Sequence, residues 1–324
     1  MIKFGLNTIF FLFLSYFVMA QENSDQGRTS ISTNPNISVI GDFESYYSNI
    51  SSKKLDIFFN EGEFAFNSFV DPYAKADIFL SFARNNETRK YEADIEEAYL
   101  TTLDLPFGLQ LKAGKFRMAF GKINNIHPHA LPFTDLPLIY ENYFGESLND
   151  AGLSSSWIIP NPFDFYQELT FELTSGNIET PTFYSSSASR YLLLGHLKNF
   201  WDLSDNSTFE FGLSGINGPN EKYYSTSIGG IDLTYKWKPL QYNTYHLFQW
   251  QSEFLFCNKK LSKDTSTKSF GLYSFITYQL SRRWFLTGRI DYSNTPDVST
   301  MIDRAISGTI GWHATEFQKI EIQL

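Results

Sequence analysis

The chain has 324 residues and one cysteine, Cys257, so no intrachain disulfide is possible. Its formal charge of −9 argues against nucleic acid as a partner, because phosphate binding needs a basic surface. Aromatic residues make up 18% of the chain, yet the mean hydropathy is −0.25, so the aromatics are interleaved with polar residues instead of being gathered in apolar runs.

The first predicted element is a leader. "MIKFGLNTIFFLFLSYFVMA" carries Lys3 near its start, an apolar run from Ile9 to Val18, and the small residue Ala20 at its end. This is the pattern of a secretory signal peptide over residues 1–20, cut so that Gln21 starts the mature chain. The run falls short of the roughly 20 residues that a membrane-spanning helix needs. Residues 21–35 are polar and read as a disordered N-terminal segment.

From residue 36 to 324 the apolar period is two almost everywhere. In "GIDLTYKWKPL" (230–240), Ile231, Leu233, Tyr235 and Trp237 alternate with Asp232, Thr234, Lys236 and Lys238. The same alternation runs through Ala74–Phe82, Phe165–Leu173, Phe209–Ser214, Phe248–Phe256, Trp284–Tyr292, Ile306–His313 and Phe317–Leu324. Each reads as a strand with one apolar and one polar face. No stretch of the mature chain reads as an amphipathic helix.

The connections alternate as well. Short ones fall at 71–72, 104–108, 161–162, 203–207, 239–243, 281–283 and 315–317, and longer polar ones at 51–60, 85–90, 122–150, 175–188, 217–224, 258–267 and 295–302. Short turns at one end and long loops at the other are the plan of an outer-membrane barrel, with the short turns on the periplasmic side. The predicted fold is all-β: a transmembrane antiparallel β-barrel with lipid on the apolar faces and a wet lumen on the polar ones. A soluble β-sandwich with packed apolar faces is the competing reading. About fifteen strands are counted, roughly a dozen residues each. An even count gives about sixteen when complete, so the last strand is expected to be missing from the end of this sequence.

Four stretches, "EEAYLTTLDLPFGLQLKAGKFRMAFGKINNIHPHALPF" (96–133), "GHLKNFWDLSDNSTFEFGLSGING" (195–218), "GIDLTYKWKPL" (230–240) and "YQLSRRWFLTGRIDYS" (278–293), carry a resemblance. They are similar to a family of Gram-negative outer-membrane porin-like barrels, the group described as phosphate-selective-porin-like or as zinc-regulated TonB-dependent outer-membrane proteins. The resemblance covers most of the mature chain. It implies location in the cell outer membrane and passive or facilitated uptake, and it supplies no catalytic residues. About 16 residues separate Gln21 from the first strand, too few for the plug of a TonB-dependent transporter.

Charged residues on the wet faces are the pore-lining candidates. Leu109 and Leu111 oppose Gln110 and Lys112; after Gly114 the apolar set becomes Phe116, Met118 and Phe120. A bulge at Gly114 would keep both apolar sets on lipid and turn Lys112, Lys115 and Arg117 into the lumen, facing a row of Glu92, Asp94 and Glu96 on the preceding strand. Cross-strand pairing that merely stabilises the barrel is the competing reading. The 122–150 loop is the constriction candidate, with His127, His129, Asp135, Glu141 and Glu146. Those five residues have no spacing typical of a metal motif, and neither a metal nor another cofactor is expected. No G-x-S-x-G, H-E-x-x-H or P-loop occurs, so no enzyme is predicted; His246 near Glu253, His196 and His313 read as structural.

The predicted function is an outer-membrane porin passing small hydrophilic solutes or ions, with outer-membrane lipid as its surroundings and a homotrimer as its assembly. The alternative is a non-conducting surface receptor or binding barrel, TonB-linked or partner-binding.

Overall fold

The computed structural model describes residues 8–11, 35–47, 55–85, 88–185 and 190–324. Its strands in chain order are β1 Thr8–Phe11, β2 Asn36–Tyr47, β3 Leu55–Asp71, β4 Ala74–Arg84, β5 Tyr91–Thr102, β6 Leu109–Arg117, β7 Asn149–Ile158 and β8 Tyr166–Thr174. They continue with β9 Leu192–Ser204, β10 Ser207–Pro219, β11 Ser225–Trp237, β12 Phe248–Lys260, β13 Ser266–Ser281, β14 Trp284–Asn294, β15 Ile302–His313 and β16 Lys319–Gln323. Each pairs antiparallel with its sequence neighbours, and β1 pairs with both β2 and β16, so the sheet closes into a barrel.

Fifteen strands therefore lie between Asn36 and Gln323, and the sixteenth place is filled by Thr8–Phe11. Those four residues belong to the stretch that the sequence reads as a leader. The rest of that stretch, and the polar segment 21–34, lie outside the described residues.

Face assignment follows the period of two. Cross-strand neighbours Leu213, Ile231 and Phe254 are all exposed on the outside. One residue along, Asp232, Glu253, Tyr273 and Asp291 stand side by side and are all buried on the inside. An exposed apolar band with a buried polar interior inverts the soluble pattern and suits lipid outside. A sandwich would have buried the band.

The short turns fall where the sequence puts them. At the first, Asp71 Oδ1 accepts a hydrogen bond from Tyr73 N at 2.7 Å, closing a two-residue link around Pro72. All six tryptophans (Trp157, Trp201, Trp237, Trp250, Trp284 and Trp312) sit near the short-turn end of their strands, the place of an interfacial aromatic girdle. One connection differs from expectation: β3 already starts at Leu55, so the predicted 51–60 loop is shorter. Leu55–Phe59 extend the alternation far enough to pair with Phe43–Tyr47.

The described residues also hold one α-helix, α1 Leu138–Phe144, against the expectation of none. Pro137 precedes it and Gly145, at φ +75°, ends it. Its buried side chains, Ile139, Tyr140, Tyr143 and Phe144, form one face. Seven residues are too few for a helical period to stand out in sequence.

Candidate functional site in the barrel lumen

The chain between β6 and β7 does not extend outward from the barrel. Residues 118–148 fold into the lumen and carry its apolar core. Met118, Phe120, Ile123, Leu131, Phe133, Ile139, Tyr140, Tyr143, Phe144 and Leu148 bury against inward side chains such as Leu194, Ile216, Ile228, Leu255 and Phe275.

Asn124 closes the neck of this segment. Its Nδ2 donates to the carbonyls of Met118 and Leu148 at 2.7 and 2.9 Å, and its Oδ1 accepts from Leu148 N at 2.7 Å. Buried amide and carbonyl groups need such partners.

Glu253 on β12 is the central clamp. Its carboxylate accepts from Lys122 N (2.7 Å), Ile123 N (2.9 Å), Tyr140 Oη (2.7 Å) and Tyr273 Oη (2.7 Å). Gly121 beside it sits at φ +58°, and a Cβ there would lie 2.5 Å from Glu253 Oε2. Only glycine satisfies both the left-handed backbone and the close approach.

The far edge is held by Asp135. Arg289 Nη2 donates to Asp135 Oδ1 and Nη1 to the Asp135 carbonyl, both at 2.8 Å, while Arg289 Nε donates to Asp291 at 2.8 Å. Gln323 adds Thr134 N at 2.9 Å, and Lys319 Nζ donates to the Leu131 carbonyl at 2.8 Å.

The near edge meets an acidic wall. His127 Nε2 hydrogen-bonds Glu97 Oε1 at 2.9 Å, and its Nδ1 lies 2.9 Å from Glu63 Oε2 and 3.3 Å from Glu96 Oε2. Phe79 packs on its ring at 5.1 Å. Burial acts to lower the pKa of the His127 imidazole, but Glu63, Glu96 and Glu97 outweigh it and raise it to about 11. Burial holds the neighbouring His129 down at about 4. A register shift between β4 and β5 leaves Glu96 without a cross-strand partner and lets it and Glu97 both reach His127 and Arg117.

Two cavities flank Ile126. One, about 650 Å³, lies toward the short turns and is walled largely by apolar side chains such as Val39, Ile40, Leu131, Phe275 and Phe285, with Gln249, Gln251 and Thr287 between them. The second, about 400 Å³, is lined by Lys112, Arg117, Lys122 and Lys198 against Glu168, Glu172 and Glu210. Lys122 Nζ is paired with Glu210.

The predicted site residues thus separate. Lys112 and Arg117 line the second cavity; Lys115 does not. No bulge occurs at Gly114: β6 and β7 stay in register from Leu109 to Arg117. A Cβ at Gly114 would fall 2.1 Å from the Ala98 carbonyl, so this glycine serves a close backbone approach. Strand phase is kept as far as Phe116: Lys115 shares the outward phase of Leu109 and Leu111, and its Nζ reaches along β5 to Asp94 Oδ2 (3.2 Å) and the Ile95 carbonyl (2.6 Å), whereas Arg117, the last residue of the strand, departs from that phase and is buried against Glu96 and Glu97. Phe116, Met118 and Phe120 are fully buried inside, not on lipid. Of the acidic row, Glu96 faces the lumen, while Glu92 and Asp94 are exposed.

His127 and His129 come together, but with Glu63, Glu96 and Glu97 and not with the loop's own acids. Asp135 binds Arg289 at the other edge, and Glu141 and Glu146 are exposed. His246 lies in the short turn before β12 against Tyr242, while Glu253 serves the clamp. His196 Nδ1 lies 2.8 Å from Ser214 Oγ, which accepts from Gly121 N at 2.9 Å, so this pair supports the segment's neck. Sequence reasoning passed over Glu63 and Glu97, read Arg289 only as a wet-face residue, and read Glu253 as a wet-face residue near His246. Their one signal was polarity on the wet face, which dozens of residues share.

A solved structure has the same fold, and others match more loosely. The outer-membrane channel DcaP of Acinetobacter baumannii matches with a TM-score of 0.55 at 9% identity, over 98% of this chain and 94% of that one. OprB of Pseudomonas putida matches with a TM-score of 0.44 at 8% identity, over 99% and 94%. An anion-selective porin from Comamonas acidovorans matches with a TM-score of 0.37 at 9% identity, over 98% and 99%. An "Uncharacterized protein" of Aquifex aeolicus (strain VF5) is 29% identical over 242 residues, 66% of this chain; the matched region spans about half, 50%, of that relative's length. No protein-family model matches. The fold is that of an outer-membrane-type antiparallel β-barrel, here with a segment folded into its lumen.

Proposed function

We propose that the chain is an outer-membrane porin that passes small hydrophilic solutes or ions by passive or facilitated diffusion. The observation that carries this reading is the polar, charge-lined cavity of about 400 Å³ beside Ile126, in a lumen narrowed by segment 118–148. A wall of amides, hydroxyls and paired charges suits hydrated solutes, and the charge rows along it set ion preference. The short turns face the periplasm, the leader is removed after Ala20, and the barrel assembles as a homotrimer in this reading. The uptake group that the sequence resembles, phosphate-selective-porin-like barrels, fits the same arrangement.

Single-channel recording of the purified full-length protein in a planar bilayer tests it. Discrete conductance steps are expected, and a salt gradient gives the ion preference from the reversal potential.

One observation favours a second reading. The infolded segment is pinned to β3 and β5 at one edge and to β14 and β16 at the other. A segment tied across the lumen in this way also suits a closed barrel that captures a ligand or partner at its surface. A correctly folded barrel that stays silent in the bilayer would replace the porin reading with that one.

A further inference from the structure

At the near edge of the infolded segment, donor atoms from three parts of the chain converge. His127 Nδ1 lies 2.9 Å from Glu63 Oε2 and 3.3 Å from Glu96 Oε2, and His129 Nδ1 lies 3.7 Å from Glu63 Oε2. One ligand atom each from Glu63, His127 and His129 fit within 4.8 Å of one another. Glu63 is 3% exposed, and neither its Oε2 nor His127 Nδ1 has a hydrogen-bond partner of proper geometry despite their approach. Two buried polar atoms 2.9 Å apart but without a well-directed hydrogen bond leave lone pairs that an ion beside both could take up.

The spacing fits a metal ion. Bonds of about 2.0–2.1 Å around a tetrahedral centre hold neighbouring ligand atoms roughly 3.3 Å apart. The surroundings fit as well. The other ring nitrogen of His127 hydrogen-bonds Glu97 Oε1 at 2.9 Å, and Glu97 Oε2 accepts from Arg117 N at 3.0 Å. A metal-bound imidazole is commonly oriented in this way, by a carboxylate that is itself held.

We propose that Glu63, His127 and His129 bind a first-row divalent transition-metal ion with a fourth position left to water, and that Glu97 is the positioning residue for His127. Two imidazole nitrogens with a carboxylate oxygen suit ions of the zinc, nickel and copper kind better than calcium or magnesium. The three carboxylates around His127 supply the negative charge that a dication needs, and the ion takes the place of the Nδ1 proton. Once bound, it cross-links the infolded segment to β3.

The test uses the full chain, folded in detergent and stripped with a chelator. Zn²⁺ alone is titrated by calorimetry, and Co²⁺ replaces it for visible spectroscopy. One ion per chain and a four-coordinate Co²⁺ spectrum are expected. Glu97→Gln should weaken binding about tenfold or more without changing the stoichiometry. His129→Ala and Glu63→Gln should weaken it at least as much, and His313→Ala should leave it unchanged. Sub-stoichiometric binding, or affinity unchanged in both His129→Ala and Glu63→Gln, overturns the proposal. Heat-modifiable migration on a gel verifies that each variant is folded; if Glu63→Gln fails, His129→Ala decides. Binding is read without reference to conduction, so a silent barrel overturns the porin reading and leaves this one standing.

Discussion

Glu253 gathers four donors from three places: the backbone after Gly121, the hydroxyl of Tyr140 on α1 and the hydroxyl of Tyr273 on β13. Glu253→Ala leaves all four without their acceptor in a buried site, a cost of about 3 kcal/mol or more to docking of the segment. Limited proteolysis should then cut within 122–148 far faster than in the parent; an unchanged cutting rate would show that the clamp is dispensable. Gly121→Ala, which sets a methyl against the same carboxylate at a left-handed backbone, should behave alike but more mildly, by about 1–2 kcal/mol. Little of this was legible in sequence. Glu253 lies on a wet face like Glu210 or Asp232, and nothing local tells the clamp from its neighbours, because its partners are far away along the chain.

At the level of single elements, β6 shows what alternation can and cannot decide. Its outward set Leu109 and Leu111 is read correctly from period two. The change of phase at Phe116 looks like a bulge in sequence. The strand instead keeps its register, and the apolar residues after Gly114 turn inward because an apolar segment awaits them in the lumen. Lys112 remains on the wet face beside the second cavity, with its ammonium 4.6 Å from the Tyr99 ring. Lys112→Glu exchanges a cation for an anion on that wall, so the reversal potential in a salt gradient should move toward cation preference. The matched change Lys115→Glu, on the outward phase, should move it much less. Equal shifts from the two would contradict this placement of the lysines.

For the molecule as a whole, the apolar band is the decisive property. Ile231 stands in that band between Leu213 and Phe254, and Asp232 beside it is buried inside. Ile231→Arg near the middle of the span should destabilise the barrel by about 2–4 kcal/mol in lipid. Reversible denaturant unfolding in lipid vesicles measures this, and a neutral result would place that face away from lipid. Export makes a separate prediction: intact mass of the protein purified from membranes should correspond to a chain starting at Gln21. A chain retaining residues 1–20 would instead support a permanent place for Thr8–Phe11 between β2 and β16.

Most of the strands, the period of two along them and the alternation of short and long connections were legible in the residues themselves. Those are local properties: a strand displays its two faces every two residues, and a turn is set by a few residues of its own. The tertiary structure alone decided that residues 118–148 fill the lumen, that Phe116 faces inward, and that His127 meets Glu63, Glu96 and Glu97. Those contacts form only after the barrel closes, when strands distant in sequence are brought around one interior. Where that interior is packed, a buried charge is stabilised by a partner from another strand, as Arg289 is by Asp135 and Asp291.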